Sequence, residues 1–256
     1  MTLTIDVGNS QLTGGLFDCD KLVFQFRKTT VRDLSSDELG IFLRSVLKEN
    51  GFDWKKIERV GACSVVPAIN YSLSSAIKKY FDRDLLFIQA GIKTGLKLKY
   101  SNPREIGADL IAAAMGAISL HPGINMIIVD LGTATTLELV TKNNEFLSGS
   151  ILPGLKISVE ALANGTAKLP SVEIAKPEHL CGTTTTEAIQ AGIFYGTAGS
   201  LKELIYLYKK NIFHGENTFI LATGGFAKLF SDYGIFDEIC PELVLLGVKR
   251  AIEMNI

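Results

Sequence analysis

Asp6 and Asp130 each end an apolar stretch, and in each case a glycine follows two residues on. The two segments read Ile5-Asp6-Val7-Gly8-Asn9-Ser10 and Val129-Asp130-Leu131-Gly132-Thr133-Ala134. A strand that delivers a carboxylate into a tight glycine turn can serve a phosphate in two ways. The glycine admits close backbone approach and the turn's N–H groups donate to phosphate oxygens. The carboxylate can hold magnesium through water, because that ion sheds its hydration shell reluctantly. One Asp-x-Gly is common in turns; two copies opening similar halves form a pattern. The other familiar phosphate loops are missing: the chain contains neither Gly-Lys nor Gly-x-Gly. Thr223-Gly224-Gly225 follows a strand-like stretch; it is either a plain strand-to-helix turn or a bare backbone against which a base or ribose could lie. The run from Tyr100 through Asn102, Pro103 and Gly107 to Asp109 precedes an apolar helical stretch. Asp109 is either a helix cap or a general base for an alcohol that accepts a phosphoryl group.

The elements that must position these residues repeat. Alternating apolar residues predict strands at Thr2–Val7, 12–17 and 22–27, then a helix capped by Ser35 or Ser36 and stopped by Gly51. A strand at Arg59–Ser64, a helix at 69–81 and a strand at 85–89 follow, then the helix at 109–119. The second half predicts strands at Asn125–Leu131, 136–141 and 145–151, helices at 155–162 and 187–208, and a strand at 218–222. A short helix at 226–230 and a closing helix at 242–254 complete it. Each half is thus a meander followed by alternating helix and strand, as in an internal duplication. His121-Pro122-Gly123 marks the break, predicting domains 1–120 and 121–256.

Composition narrows the partners. The 256 residues are 47% hydrophobic and carry 26 basic against 27 acidic side chains. A net charge of -1 gives no electrostatic footing for nucleic acid or a membrane surface. Cys19, Cys63, Cys181 and Cys240 form no C-x-x-C and read as reduced thiols. His121, His179 and His214 match no metal-ligand spacing. The N-terminus has neither a basic segment nor a long apolar run, so the expectation is a cytoplasmic protein.

These motifs together resemble the type III pantothenate kinases. The matching segments are Asp6-Val7-Gly8-Asn9-Ser10, Tyr100-x-Asn102-Pro103 with Gly107-Ala108-Asp109, and Asp130-x-Gly132-Thr133-Ala134-Thr135-Thr136. Gly149-x-Ile151-x-Pro153-Gly154, Thr166-Ala167-x-Leu169-Pro170, Thr185 with Ile189-Gln190-x-Gly192, and Thr223-Gly224-Gly225 continue the likeness along essentially the whole chain. The resemblance implies an α/β fold of duplicated ribonuclease H-like (actin-like ATPase) domains with a nucleotide cleft between them. It implies phosphorylation of pantothenate by ATP, which opens coenzyme A synthesis. ATP would be bound by Asp6, Val7, Gly8, Asn9, Ser10, Gln11, Leu12, Thr13 and Thr133. Pantothenate would meet Tyr100, Gly107, Ala108, Asp109, Leu110 and Thr185, with Asp109 as proton acceptor. Asp6 would hold magnesium through water, and Asp130 a monovalent cation, potassium or ammonium. The family is homodimeric, with the substrate pocket completed at the interface.

The chain departs from the family pattern at three places. Leu110 stands where Arg usually follows the catalytic Asp, Gly165 where a basic residue precedes Thr-Ala-x-Leu-Pro, and Thr183-Thr184 where a basic residue and Asn or Asp are usual. Arginine grips a carboxylate bidentately, and losing one charge-assisted hydrogen bond costs roughly 1.5–3 kcal/mol. Weak activity on pantothenate, another small alcohol as acceptor, a nucleotide-binding accessory role, or compensation by Lys156, Lys168 or Arg104 are the open outcomes.

Overall fold

Strand parity decides where the chemistry sits. A computed structural model describes residues 1–255. Its first unit opens with three antiparallel strands, β1 (Thr2–Val7), β2 (Gln11–Asp18) and β3 (Lys21–Thr29). Helix α1 (Ser36–Glu49) follows, started by a reciprocal cap between Ser35 and Glu38. Then come β4 (Arg59–Ser64), α2 (Pro67–Phe81), with proline in its first turn, and the short β5 (Leu85–Phe87). The sheet order is β3-β2-β1-β4-β5, with β4 and β5 parallel to β1. Leu3, Ile5 and Val7 leave β1 on one face and are buried among Leu39, Leu43, Leu47, Ile69, Leu73 and Ile77 of α1 and α2. Thr4 and Asp6 therefore point to the opposite face.

That opposite face is covered by α3 (Ala108–Leu120) and by the last helix, α6 (Leu243–Asn255). Their backbones meet closely. A methyl added at Gly116 would collide with Leu243 O, and one added at Gly247 with Ala112 O. Alanines 112, 113, 114 and 117 line the same buried stretch of α3.

The second unit repeats the plan. Strands β7 (Asn125–Leu131), β8 (Ala134–Val140) and β9 (Glu145–Pro153) form an antiparallel meander. Helices α4 (Leu155–Gly165) and α5 (Thr185–Asn211), then β10 (Thr218–Thr223), a 3₁₀ turn at Ala227–Tyr233 and β11 (Glu238–Ile239), complete it. The order β9-β8-β7-β10-β11 matches that of the first sheet, and β10 and β11 run parallel to β7. A two-residue strand, β6 (Lys97–Leu98), adds to the edge at β9. Ile127, Val129 and Leu131 face Phe194, Ala198 and Leu201 of α5, where Phe194 stacks on Phe230 at 4.7 Å. Asp130 again takes the other face.

The predicted strands and helices all form, with ends shifted by a few residues; β6 and β11 were not foreseen. The division into two units differs from a single cut at residue 120. The first unit comprises Met1–Leu96, Tyr100–Leu120 and Glu242–Ile256, the second Lys97–Lys99 and His121–Pro241. Helix α6 packs on α3, so the chain's end returns to the unit it began in. Among the described residues no disulfide joins the four cysteines, and Cys63 and Cys240 are buried. Among the described residues no helix is long and apolar enough to cross a membrane.

The α3–α6 contact yields a stability test. Gly247→Ala should lower unfolding free energy by about 1–3 kcal/mol, since an overpacked site must move backbone. A lower urea midpoint at unchanged slope checks it; a wild-type midpoint would mean the helices separate freely.

Candidate active site

In the first unit three parallel or antiparallel neighbours bring side chains to one row. Asp6 pairs with Thr13 on β2 and with Cys63 on β4. The turn beyond Asp6 closes with Gly8 N–H donating to Gln11 O at 3.0 Å. It is anchored to the end of β3: Thr30 Oγ1 donates to Gly8 O at 2.7 Å and Thr30 N–H to Ser10 O at 3.1 Å. Asn9, Ser10 and Gln11 are exposed at its tip, whereas the Val7 and Leu12 side chains are buried in the core. Only the main chain of those two reaches the turn.

Asp109 enters the same face from the first turn of α3. Its Oδ1 accepts from Leu110 N–H at 2.9 Å, an N–H that has no partner within the helix. A side chain at Gly107 would strike this oxygen, so the glycine makes room for the carboxylate's rotamer. Asn102 caps the 3₁₀ turn Pro103–Glu105 just before, which fixes the approach to α3. Tyr100 and Leu110 are half-buried, and Gly107 and Ala108 are partly exposed beside them.

The two carboxylates feel each other. Burial pushes Asp6 from 3.8 up to about 7, a hydrogen bond from Cys63 opposes this, and the charge of Asp109 adds to it. Burial also raises Asp109, against the pull of the N–H groups of Leu110 and of its own residue. A cation is the natural complement of such a pair. Among the described residues no group of three His, Cys, Asp or Glu gathers that could hold a metal ion by itself.

In the second unit Asp130 lies between two glycine turns. A methyl at Gly132 would stand 3.2 Å from Asp130 Oδ1, and one at Gly224 would overlap that oxygen. Gly224 has φ +91, which L side chains rarely adopt. Phe226 N–H donates to Leu131 O at 3.1 Å and ties the Thr223-Gly224-Gly225 loop to the Asp130 turn. Gly154 packs its backbone against Thr133 O. Thr133 is exposed at the tip. The bare α-carbon of Gly224 is thus required by the aspartate.

Thr185, exposed, is the first residue of α5 and lies in the second unit. Thr184 caps that helix in a reciprocal box with Glu187, whose carboxyl is held below its usual range chiefly by the Thr183 N–H. His121 meets Glu238 Oε2 at 3.0 Å and stacks near Phe219, a structural pairing at a sheet edge. Sequence reasoning missed Cys63 as a partner of Asp6. The available signal was positional, since each is the penultimate residue of its strand.

A 3-2-1-4-5 strand order occurring twice, extended by β6 in the second sheet, each with an Asp-x-Gly turn after its first strand, defines a duplicated actin-like ATPase fold. The model of the type III pantothenate kinase family matches residues 2–206, and the chain belongs to that family. The type III pantothenate kinase of Legionella pneumophila (strain Corby) is 50% identical, the match covering 100% of this chain and 99% of that one. A Campylobacter jejuni protein assigned to the Baf family of transcriptional activators shares the fold at TM-score 0.60 and 18% identity, over 98% of this chain and 97% of the other. So does a Sinorhizobium meliloti protein assigned as a 2-dehydro-3-deoxygalactonokinase, at TM-score 0.60 and 11% identity, over 98% and 95%.

The raised Asp6 carboxyl predicts a pH signature. Its folded pKa of about 7 exceeds its unfolded 3.8, so the folded chain holds the extra proton between those values. Stability therefore falls as pH rises through that window. At about 1.4 kcal/mol per unit, Asp6→Asn should stabilise the nucleotide-free protein above pH 7 by up to roughly 4 kcal/mol. The gain should vanish near pH 4. Urea unfolding of both proteins from pH 4 to 8 checks it; equal midpoints at pH 8 would refute the shift.

Proposed function

We propose that the chain transfers the γ-phosphoryl group of ATP to the primary hydroxyl of pantothenate, the opening step of coenzyme A synthesis, with Asp109 as the base. The carrying observation is Asp109 at the start of α3, on the sheet face that also receives Asp6. Leu110 N–H occupies Oδ1, which leaves the other oxygen to take the hydroxyl proton. As that proton departs, the alcohol oxygen bonds to the γ-phosphorus and the bond to the β-phosphate oxygen breaks, releasing ADP. Burial raises Asp109, and a carboxylate of higher pKa is the stronger base.

The Asp6 turn, from Asp6 through Thr13, binds phosphates through its exposed N–H groups, and Thr133, exposed at the tip of the Asp130 turn, is a further phosphate contact. Asp6 would hold magnesium through water, and that ion would neutralise charge on the triphosphate. Asp130 would help to hold a monovalent cation; the two flanking glycines keep side-chain carbon away from its Oδ1. Tyr100, Gly107, Ala108 and Leu110 surround the acceptor. Thr185, at the exposed start of α5, serves the pocket of a second subunit in a homodimer. The place of work is the cytoplasm, where ATP is at hand. Catalysis here is mostly positioning and charge neutralisation.

The test is transfer from ATP to pantothenate in potassium buffer, with Mg·ADP binding measured alongside. Asp109→Asn should cut turnover by about 10²–10⁴-fold while Mg·ADP still binds. Undiminished turnover would remove Asp109 from the role. Nucleotide binding by the native protein without turnover on pantothenate would point to another acceptor.

A further inference from the structure

We infer that Cys63 is a positioning residue: its thiol, donated from β4 to Asp6 on β1, fixes the rotamer in which that carboxylate meets the magnesium–nucleotide complex. The inference rests on the proposed role of Asp6 and adds a residue to it.

The geometry is specific. Cys63 and Asp6 are direct partners in the parallel β1–β4 register. The sulfur lies 3.3 Å from Asp6 Oδ1, and Cys63 is 0% exposed. The thiol is the donor of this bond and Oδ1 the acceptor. An S–H is a weak donor, but here no water competes for the bond. It holds one oxygen of Asp6 against the sheet. The other oxygen is then the one left for a ligand. A nonpolar residue at 63 would leave Oδ1 without its donor in a dry layer, and the carboxylate would turn.

Titration calorimetry with Mg·ADP tests this on the full chain. Cys63→Ala should weaken binding about 2- to 10-fold, the worth of one ordinary hydrogen bond. Cys63→Ser, which restores a donor, should bind within about 2-fold of the native protein. In an Asp6→Asn background, adding Cys63→Ala should change nothing further. In turnover, KM for ATP should rise in Cys63→Ala with KM for pantothenate unmoved. If the alanine variant does not fold, the near-isosteric pair Cys63→Thr and Cys63→Val replaces it, with Thr binding well and Val poorly. Native affinity in Cys63→Ala, failure of Ser to restore it, or an undiminished penalty in the Asp6→Asn background would each reduce Cys63 to packing. If Asp6→Asn itself binds Mg·ADP normally, the reading of Asp6 falls instead.

Discussion

A strand can send only alternate side chains to one face of a sheet, and this parity governs the molecule. In β1 the odd positions Leu3, Ile5 and Val7 are spent on the core beneath α1 and α2. In β7 the odd positions Ile127, Val129 and Leu131 are spent on α5 and its neighbours. The even position nearest the strand's end falls on the opposite face in both, and both units put aspartate there. A slip of one residue would carry each carboxylate into the hydrocarbon layer and each isoleucine out of it. The glycine two residues on then turns the chain before the next strand can bury the acid completely.

Placing an acid at this depth carries a cost, and the surroundings meet it in different ways. Asp6 is lifted to about 7 by burial and partly relieved by the Cys63 thiol. Asp109 receives main-chain N–H groups at the start of α3, where the helix dipole also favours negative charge. Asp130 is given room by Gly132 and Gly224. The first unit thus holds two carboxylates that repel each other, a tension that costs stability in the empty protein and that a bound cation would relieve.

The strands and helices were legible because burial follows periods of two and 3.6. The duplication was legible in the two Asp-x-Gly turns, which strand order then matches. What stayed hidden was non-local. Strands β6 and β11 contain two residues each, too few to show a period. The return of α6 to the first unit depends on Gly116 and Gly247 letting two backbones touch, a relation across more than a hundred residues. The Cys63–Asp6 bond spans 57 residues and is set by register alone. Gly224 could be read as a loop glycine, but its reason, the oxygen of Asp130, lies on another strand.

The departures from the family pattern take on definite meanings once the elements are in place. Thr184 is a helix cap, and a threonine hydroxyl does there what Asn or Asp would do, completing a box with Glu187. Thr183 binds the same glutamate through its own N–H and hydroxyl, at 2.7 Å and 3.0 Å. The local job of that segment, starting α5 so that Thr185 begins its first turn, survives without a basic residue. Gly165 ends α4 on the exposed surface, with nothing within 4 Å of where a side chain would begin, so the fold there does not require a basic residue. Leu110 is the informative case. What Asp109 takes from residue 110 is the main-chain N–H, which leucine offers as well as arginine. On the proposed role of Asp109, removal of the proton is therefore indifferent to the exchange, because the N–H it uses belongs to the main chain.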